Sequence, residues 1–210
     1  TAYNAMHRHA PQPDPERITM PSAKMSEPEI PANSQCPIAR TLDSVGHWWT
    51  ILILREAMYG STRFDEFEKN LQIAPTMLTR RLKSLVEAGL LERRQYTDKP
   101  VRFEYLLTDA GRDFHPVMVA LSVWGNRHLA PEGVSVQLVN TDSGTPADPV
   151  LIDRASGLAI TPGDFMFAPG PAANERTLRR LTTARALIAN ANAGASANAC
   201  ANERAGKNGK

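Results

Sequence analysis

Between Pro75 and Ser84 the chain carries three basic residues and no acidic one. Thr76, Met77, Thr79, Arg80 and Lys83 stand there among small polar neighbours. Hydroxyls, a flexible thioether, a guanidinium and an ammonium are groups that hydrogen-bond flat acceptor edges, touch methyl groups and neutralise anionic oxygens. That is the chemistry of recognition rather than of bond making. Arg63 lies upstream, and Lys99 and Arg102 flank a short turn downstream, three more cations of the kind that meets phosphate oxygens. No Gly-rich phosphate loop follows a strand, and no nucleophile motif or His-Cys metal cluster is present. We therefore expect no catalytic residues, no metal, no cofactor and no enzyme. The five histidines are scattered, and His47, His115 and His128 read as core or interface side chains.

Recognition needs elements to hold these groups. Pro75 suits a first helical position, where its fixed φ and missing N–H cost nothing. Leu78, Leu82, Leu85 and Val86 recur at i, i+4, i+7 and i+8, which makes one apolar stripe. At about 100° per residue the opposite face carries Thr76, Met77, Arg80, Lys83 and Ser84. Gly89 ends the helix in a left-handed position. Alone, this reads more readily as an ordinary helix with a solvated basic face. The context argues otherwise. Leu90–Tyr96 and Val101–Leu107 read as strands around the turn Thr97–Pro100, with Arg93 and Arg94 on the first. Upstream, Phe64, Phe67 and Leu71 make a short amphipathic helix that begins at Arg63. Helix, turn, basic helix and hairpin is the order of a winged helix that reads DNA.

At this point the resemblance is specific. It is carried by Cys36-Pro37-Ile38, by Gly46-His47-Trp48-Trp49-Thr50-Ile51-Leu52-Ile53-Leu54-Arg55, and by Gly60 with Arg63-Phe64. It continues through Ala74-Pro75-Thr76-Met77-Leu78-Thr79-Arg80-Arg81-Leu82, Glu87-Ala88-Gly89-Leu90, Tyr105-Leu106-Leu107-Thr108, Gly111 and Trp124-Gly125. The chain resembles the HxlR-type (MarR-like) family of bacterial winged-helix transcription regulators over residues 36 to 130. Two departures stand out. Ala74 replaces a Ser-like N-cap, and His47 and Trp48 stand where the family often has a basic residue.

The resemblance implies a sequence-specific DNA-binding regulator that acts as a homodimer on a double-stranded operator. Base readout is expected from Thr76, Met77, Thr79, Arg80 and Lys83, and phosphate contacts from Arg63, Lys99 and Arg102, with Arg80 serving either role. After the wing, Thr108-Asp109 starts a helix, and Pro116 breaks or kinks it near His115. Phe114, Met118, Leu121, Trp124 and His128 share a stripe whose bulk exceeds what so small a domain must bury. The resemblance assigns Phe114, Met118, Leu121 and Trp124 to a dimer seam; the alternative is that this helix folds back on the chain's own first helix. Cys36 precedes Pro37, near a helix N-terminus where reactive cysteines are found. The resemblance makes it a candidate redox sensor, against the plainer reading of a packing residue. Other readings are a regulator answering a small-molecule or oxidant effector, the small molecule held between the dimer helices and the C-terminal unit, or a winged helix that binds protein instead of DNA. The fold does not say whether binding represses or activates.

Composition sets the outer bounds. The 210 residues are 42% hydrophobic with a net charge of only +2, so any affinity for an anionic partner comes from local clustering. Two cysteines, Cys36 and Cys200, make no disulfide framework and fit a reducing cytoplasm. No apolar run approaches the roughly 20 residues of a membrane span, and the N-terminus lacks a signal-peptide core, so no membrane partner is expected. The fold class is α+β, mainly helical: a winged helix-turn-helix domain with a long dimerisation helix and a small C-terminal β unit.

We divide the chain into a disordered Pro-rich arm (1–33), the DNA-binding and dimerisation domain (34–131), a small β unit (132–172), and a short helix with a disordered tail (173–210). The domain opens with one helix from Pro37 to about Met58 through Ile38, Leu42, Val45, Trp49, Leu52 and Ile53. In the β unit, Val134–Val139, Val150–Ile152 and Phe165–Phe167 look like short strands. Asn140-x-x-Ser143-Gly144 and Asp153-x-x-Ser156-Gly157 repeat the spacing of zinc knuckles without thiolates or imidazoles. They read as a metal-free ribbon or as two similar turns.

Overall fold

The computed structural model describes residues 35–183. The expected disordered arm, most of the expected tail, and Cys200 lie outside those residues. The described residues fall into two compact units, 41–149 and 35–40 with 150–183.

The first expected helix is two. Helix α1 spans Pro37–Val45 and α2 spans Trp48–Met58. Gly46 and His47 interrupt them. At Gly46 a Cβ would sit 2.3 Å from the Leu42 carbonyl oxygen, so only glycine allows the chain to pass so close. His47 is extended and caps α2, its Nδ1 accepting the Trp49 N–H at 3.3 Å. The break corrects the apolar stripe as well. Val45, Ile53 and Leu54 are buried and Trp49 packs against them, but Ile38 and Leu42 are 61% and 52% exposed. With the helix interrupted, the period no longer carries Ile38 and Leu42 onto the face that Ile53 buries.

The helix-turn-helix follows. Helix α3 is Phe64–Leu71 and α4 is Pro75–Glu87, joined through Gln72, which is left-handed at φ 51°. Leu78, Leu82 and Leu85 on α4 are fully buried against Phe67, Ile73 and Leu91. Each such side chain contributes about 1.5–3 kcal/mol of burial. Gly89 has φ +71°. Its N–H donates to the Val86 carbonyl and the Leu90 N–H to the Leu85 carbonyl, both at 3.0 Å. These two bonds stop α4 in a Schellman turn.

Strands β1 (Leu91–Asp98) and β2 (Val101–Leu107) form an antiparallel hairpin running from Leu91↔Leu107 to Asp98↔Val101. Gln95 pairs with Phe103 and Thr97 with Arg102, so Tyr96 is the extra residue of a bulge. Arg63 bridges to Glu104, and the Tyr105 N–H donates to the Thr62 carbonyl at 2.7 Å. The wing is thereby stitched to the start of α3.

A short helix α5 (Asp109–Arg112) is capped by the Thr108 hydroxyl, which accepts the Gly111 N–H at 3.1 Å. The chain then breaks at Phe114, and α6 runs His115–His128 with Pro116 in its first turn. That is the break expected near His115.

Among the described residues beyond α6, the β character is confined to single bridges, Val139↔Pro146, Ile152↔Ala159 and Pro162↔Phe165, in place of the expected strands. The two knuckle-like repeats are matching turns. Asn140 Oδ1 accepts the Asp142 N–H, the Ser143 N–H and the Ser143 hydroxyl at 3.0, 3.0 and 3.2 Å. Asp153 Oδ2 accepts the Ser156 N–H and hydroxyl at 3.0 and 2.5 Å, and these bonds hold its carboxyl below the usual range. The side chains that stand at ligand positions are consumed in closing their own turns. Residues 175–183 are helical, the described part of the helix expected over 174–190. The Asn174 side chain accepts the Thr177 N–H at its start. Among the described residues no helix is long and apolar enough to cross a membrane.

The architecture is α+β and mainly helical, a winged helix-turn-helix followed by a long helix and bridged turns.

Candidate nucleic-acid interface

Burial of the leucine stripe turns the other face of α4 outward. Thr76, Thr79, Arg80 and Lys83 are all exposed on it. Arg80 makes no ion pair among the described residues. Lys83 reaches Glu87 at 3.7 Å, an exposed pair worth a few tenths of a kcal/mol that a stronger anion displaces. Thr79 donates its hydroxyl proton to the Pro75 carbonyl at 2.8 Å, which leaves its oxygen free to accept. Met77 differs from the expectation. It is half-buried and packs against the core, because it sits on the flank of the leucine stripe. Ala74 supplies no side-chain cap, as its methyl group dictates.

The wing brings a second set of cations beside α3. Lys99 and Arg102 are exposed near its tip, and neither makes an ion pair among the described residues. The other basic wing residues are already engaged. Arg94 lies opposite Glu104 and binds it at 2.9 Å, and Arg93 stacks on Phe103 with 3.4 Å from guanidinium carbon to ring centroid. These two brace the hairpin.

Arg63 is placed by interactions that the sequence did not disclose. Its guanidinium lies 4.8 Å from the ring centroid of Tyr96, the bulged residue of β1. Arg63 and Arg102 then line one open groove with Tyr96 and Phe103. A Tyr next to a turn, with an Arg two helices upstream, was the only signal.

Glu66 fixes the backbone beneath Arg63. Its Oε2 accepts the Thr62 and Arg63 N–H groups at 2.8 and 2.9 Å, the half of a capping box that a carboxylate can supply. These bonds lower its pKa from the ordinary 4.5. A depressed carboxyl adds stability that is fully present above the unfolded value and lost as pH falls through the folded one. We therefore expect Glu66→Ala to cost about 0.5–2 kcal/mol at neutral pH. Urea unfolding should show wild type and variant converging as pH falls through the lowered value of the Glu66 carboxyl. A gap that stays constant with pH would assign the loss to packing.

Cys36 precedes α1, half-buried, with its carbonyl accepting the Arg40 N–H at 3.0 Å. Of the residues expected at a dimer seam, Phe114 is 9% exposed within the chain's own core and Met118 packs against that core. Leu121 and Trp124 are 48% and 56% exposed. The seam expectation is thus corrected for Phe114, which the chain's own core covers, while Met118 is half-buried beside it.

Comparisons with known proteins agree with this geometry. A family model described as HxlR-like helix-turn-helix matches residues 44–133. An uncharacterized HTH-type transcriptional regulator of Mycobacterium tuberculosis is 44% identical over 135 residues, 64% of this chain and 85% of the relative. The Bacillus subtilis regulator YdeP is 36% identical over 94 residues, 44% of this chain and 73% of its own. Among solved structures, a Pseudomonas aeruginosa protein described as a transcription factor is 51% identical with a TM-score of 0.54, covering 70% of this chain and all of that one (100%). A second structure with the same description is 37% identical with a TM-score of 0.60, covering 66% of this chain and 97% of that one.

Proposed function

Because this chain belongs to the HxlR-like helix-turn-helix family of transcriptional regulators, and so is a DNA-binding regulator and not an enzyme, we propose that it reads a specific duplex sequence as a homodimer. The observation that carries the reading is the outward face of α4, where Thr76, Thr79, Arg80 and Lys83 stand exposed beside a wing that offers Lys99 and Arg102. Helix α4 enters the major groove. Arg80 and Lys83 donate to acceptor edges, and Thr79 accepts. Arg63, Lys99 and Arg102 meet phosphates and set the register. Met77 supports the helix from behind.

The dimer rests on α6. At about 100° per residue this helix has three faces. Phe114, just before it, and Met118 turn to the core; Met118, Val119, Val123 and Asn126 turn to a groove against the segment that follows; Val117, Leu121, Trp124 and His128 turn to solvent. The solvent face carries the large exposed apolar side chains Val117, Leu121 and Trp124, a patch of the kind that marks an interaction surface. A second copy, bringing the same face, completes the third side by two-fold symmetry.

Selection of bound sites from random duplex DNA tests both parts. We expect an inverted repeat whose half-sites lie roughly 10 bp or a multiple apart, the spacing that two recognition helices impose. Failure to enrich any sequence would remove specific reading. Retention that does not change with salt would point to protein as the partner, since phosphate contacts impose a steep salt dependence.

A further inference from the structure

We propose that Tyr96 is a positioning residue for Arg63, holding its guanidinium where the wing meets a DNA phosphate. The proposal rests on the regulator reading above and names what sets the grip of its wing. The main chain at Arg63 is fixed by three contacts. Arg63 is bridged to Glu104 of β2, the Thr62 carbonyl accepts the Tyr105 N–H at 2.7 Å, and Glu66 Oε2 accepts the Arg63 N–H at 2.9 Å. What remains free is the long side chain, which is exposed and makes no ion pair among the described residues.

Tyr96 takes up that freedom. Its ring centroid lies 4.8 Å from the Arg63 guanidinium carbon. Its place in the ladder explains how. Gln95 pairs with Phe103 and Thr97 with Arg102, so Tyr96 has no partner across the hairpin, and the bulge re-aims its side chain. The flanks of the bulge are tied locally. Gln95 Nε2 donates to Asp98 Oδ1 at 2.6 Å, and the Thr97 hydroxyl to the Pro100 carbonyl at 3.3 Å. Attraction to a ring face uses none of the five N–H donors of a guanidinium, so the group is held and still able to bind. An arginine surrenders rotamer freedom when it grips an anion, and one already held surrenders less.

The surroundings of the pair suit a phosphate. Arg63 and Arg102 line one groove of about 430 Å³ with Tyr96 and Phe103, and Asp65 is the single acidic side chain of the lining. Two guanidiniums converging on one groove offer charge-assisted bonds to the anionic oxygens of a phosphodiester. The stack of Arg93 on Phe103 differs, because both residues belong to the hairpin and brace it alone. The Arg63 stack joins the wing to the start of α3, and so holds a cation from outside the wing at the wing's surface.

The test separates the ring from the fold of the hairpin. Tyr96→Phe keeps the ring, and Tyr96→Leu keeps apolar bulk without a π face; Tyr96→Thr, a better strand former, replaces the leucine if that variant unfolds. We expect Tyr96→Phe to bind operator and random duplex as the wild type does. Tyr96→Leu should bind both about twofold to fivefold more weakly for each wing engaged. In an Arg63→Ala background the same change should have no further effect, whereas in an Arg102→Ala background it should keep its full effect. A purely structural role would weaken binding in every background. In the free protein, the side-chain protons of Arg63 should show an upfield ring-current shift in the wild type and in Tyr96→Phe, and lose it in Tyr96→Leu. Arg63→Ala that binds duplex as tightly as the wild type overturns this proposal and leaves the reading by α4 intact. Tyr96→Leu that binds as well as or better than the wild type, Tyr96→Phe as weak as Tyr96→Leu, or an additive loss in the Arg63→Ala background each overturns it as well. A wild-type protein that binds no duplex would overturn both the proposal and the reading it rests on.

Discussion

Arg80→Ala should weaken binding to a selected operator by about 1–3 kcal/mol, or roughly fivefold to 150-fold, and relax the sequence preference at the base pair it meets. The expectation follows from burial. Leu78, Leu82 and Leu85 fix the rotation of α4 about its own axis, and that rotation leaves Arg80 exposed with no ion pair among the described residues. An unengaged guanidinium on a groove-facing helix has its fork ready for a guanine edge. Lys83→Ala should lose less, because its ammonium already shares Glu87 at 3.7 Å. The wing provides the contrast. Lys99→Ala and Arg102→Ala should weaken operator and random duplex alike, and each should flatten the salt slope by about one unit for the phosphate it no longer neutralises. Anisotropy titrations at several salt concentrations separate the two behaviours. If Arg80→Ala and Lys83→Ala both bind the operator as the wild type does, α4 is not the reading helix.

Trp124→Ala should cost about 2 kcal/mol or more of dimerisation free energy, and Leu121→Asp combined with it should leave a folded monomer. Trp124 is 56% exposed and Leu121 is 48% exposed on the solvent face of α6, yet neither belongs to the core cluster that holds the domain together. Their loss is therefore expected to spare the fold. His128 lies 5.3 Å from the Trp124 ring, so the aromatic surface continues along the helix. Monomers lose the two-half-site advantage, so operator affinity should fall far more than affinity for a single half-site. Sedimentation equilibrium alongside the titration reads both effects. A wild-type monomer, or a double variant that remains dimeric, would move the seam elsewhere.

Much of this was legible in the residue pattern. The leucine stripe, Pro75, Gly89 and the alternation in β2 are local signals of period 3.6 and period 2, and the helix-turn-helix and wing came out within a residue or two of where they were expected. Other features were hidden for a physical reason. Ile38 and Leu42 keep the helical period across Gly46 and His47, so a periodicity reading runs straight through one extended residue. The bridge from Arg63 to Glu104 and the stack of Arg63 on Tyr96 join segments far apart in the chain, and a single bridging residue carries no alternation. The Asn140 and Asp153 repeats were visible as spacing, but spacing does not say that the side-chain oxygens close their own turns.

What the chain order determined by itself is the helix-turn-helix and its wing: which helix is buried on leucines, which face turns outward, and where the wing's cations lie. Each of those depends on neighbours three, four or two residues away, and such neighbours are written consecutively. Tertiary structure alone decided which apolar surfaces remain open. Phe114 and Trp124 look alike as members of one stripe, and only packing against α2 and the core separates a covered side chain from an exposed one. The groove along α6 exists because residues 134–149 return to it through Asn126 and Val136. Burial is a property of pairs of surfaces, and the second surface of each pair is supplied by a part of the chain whose distance in sequence gives no hint of its nearness in space.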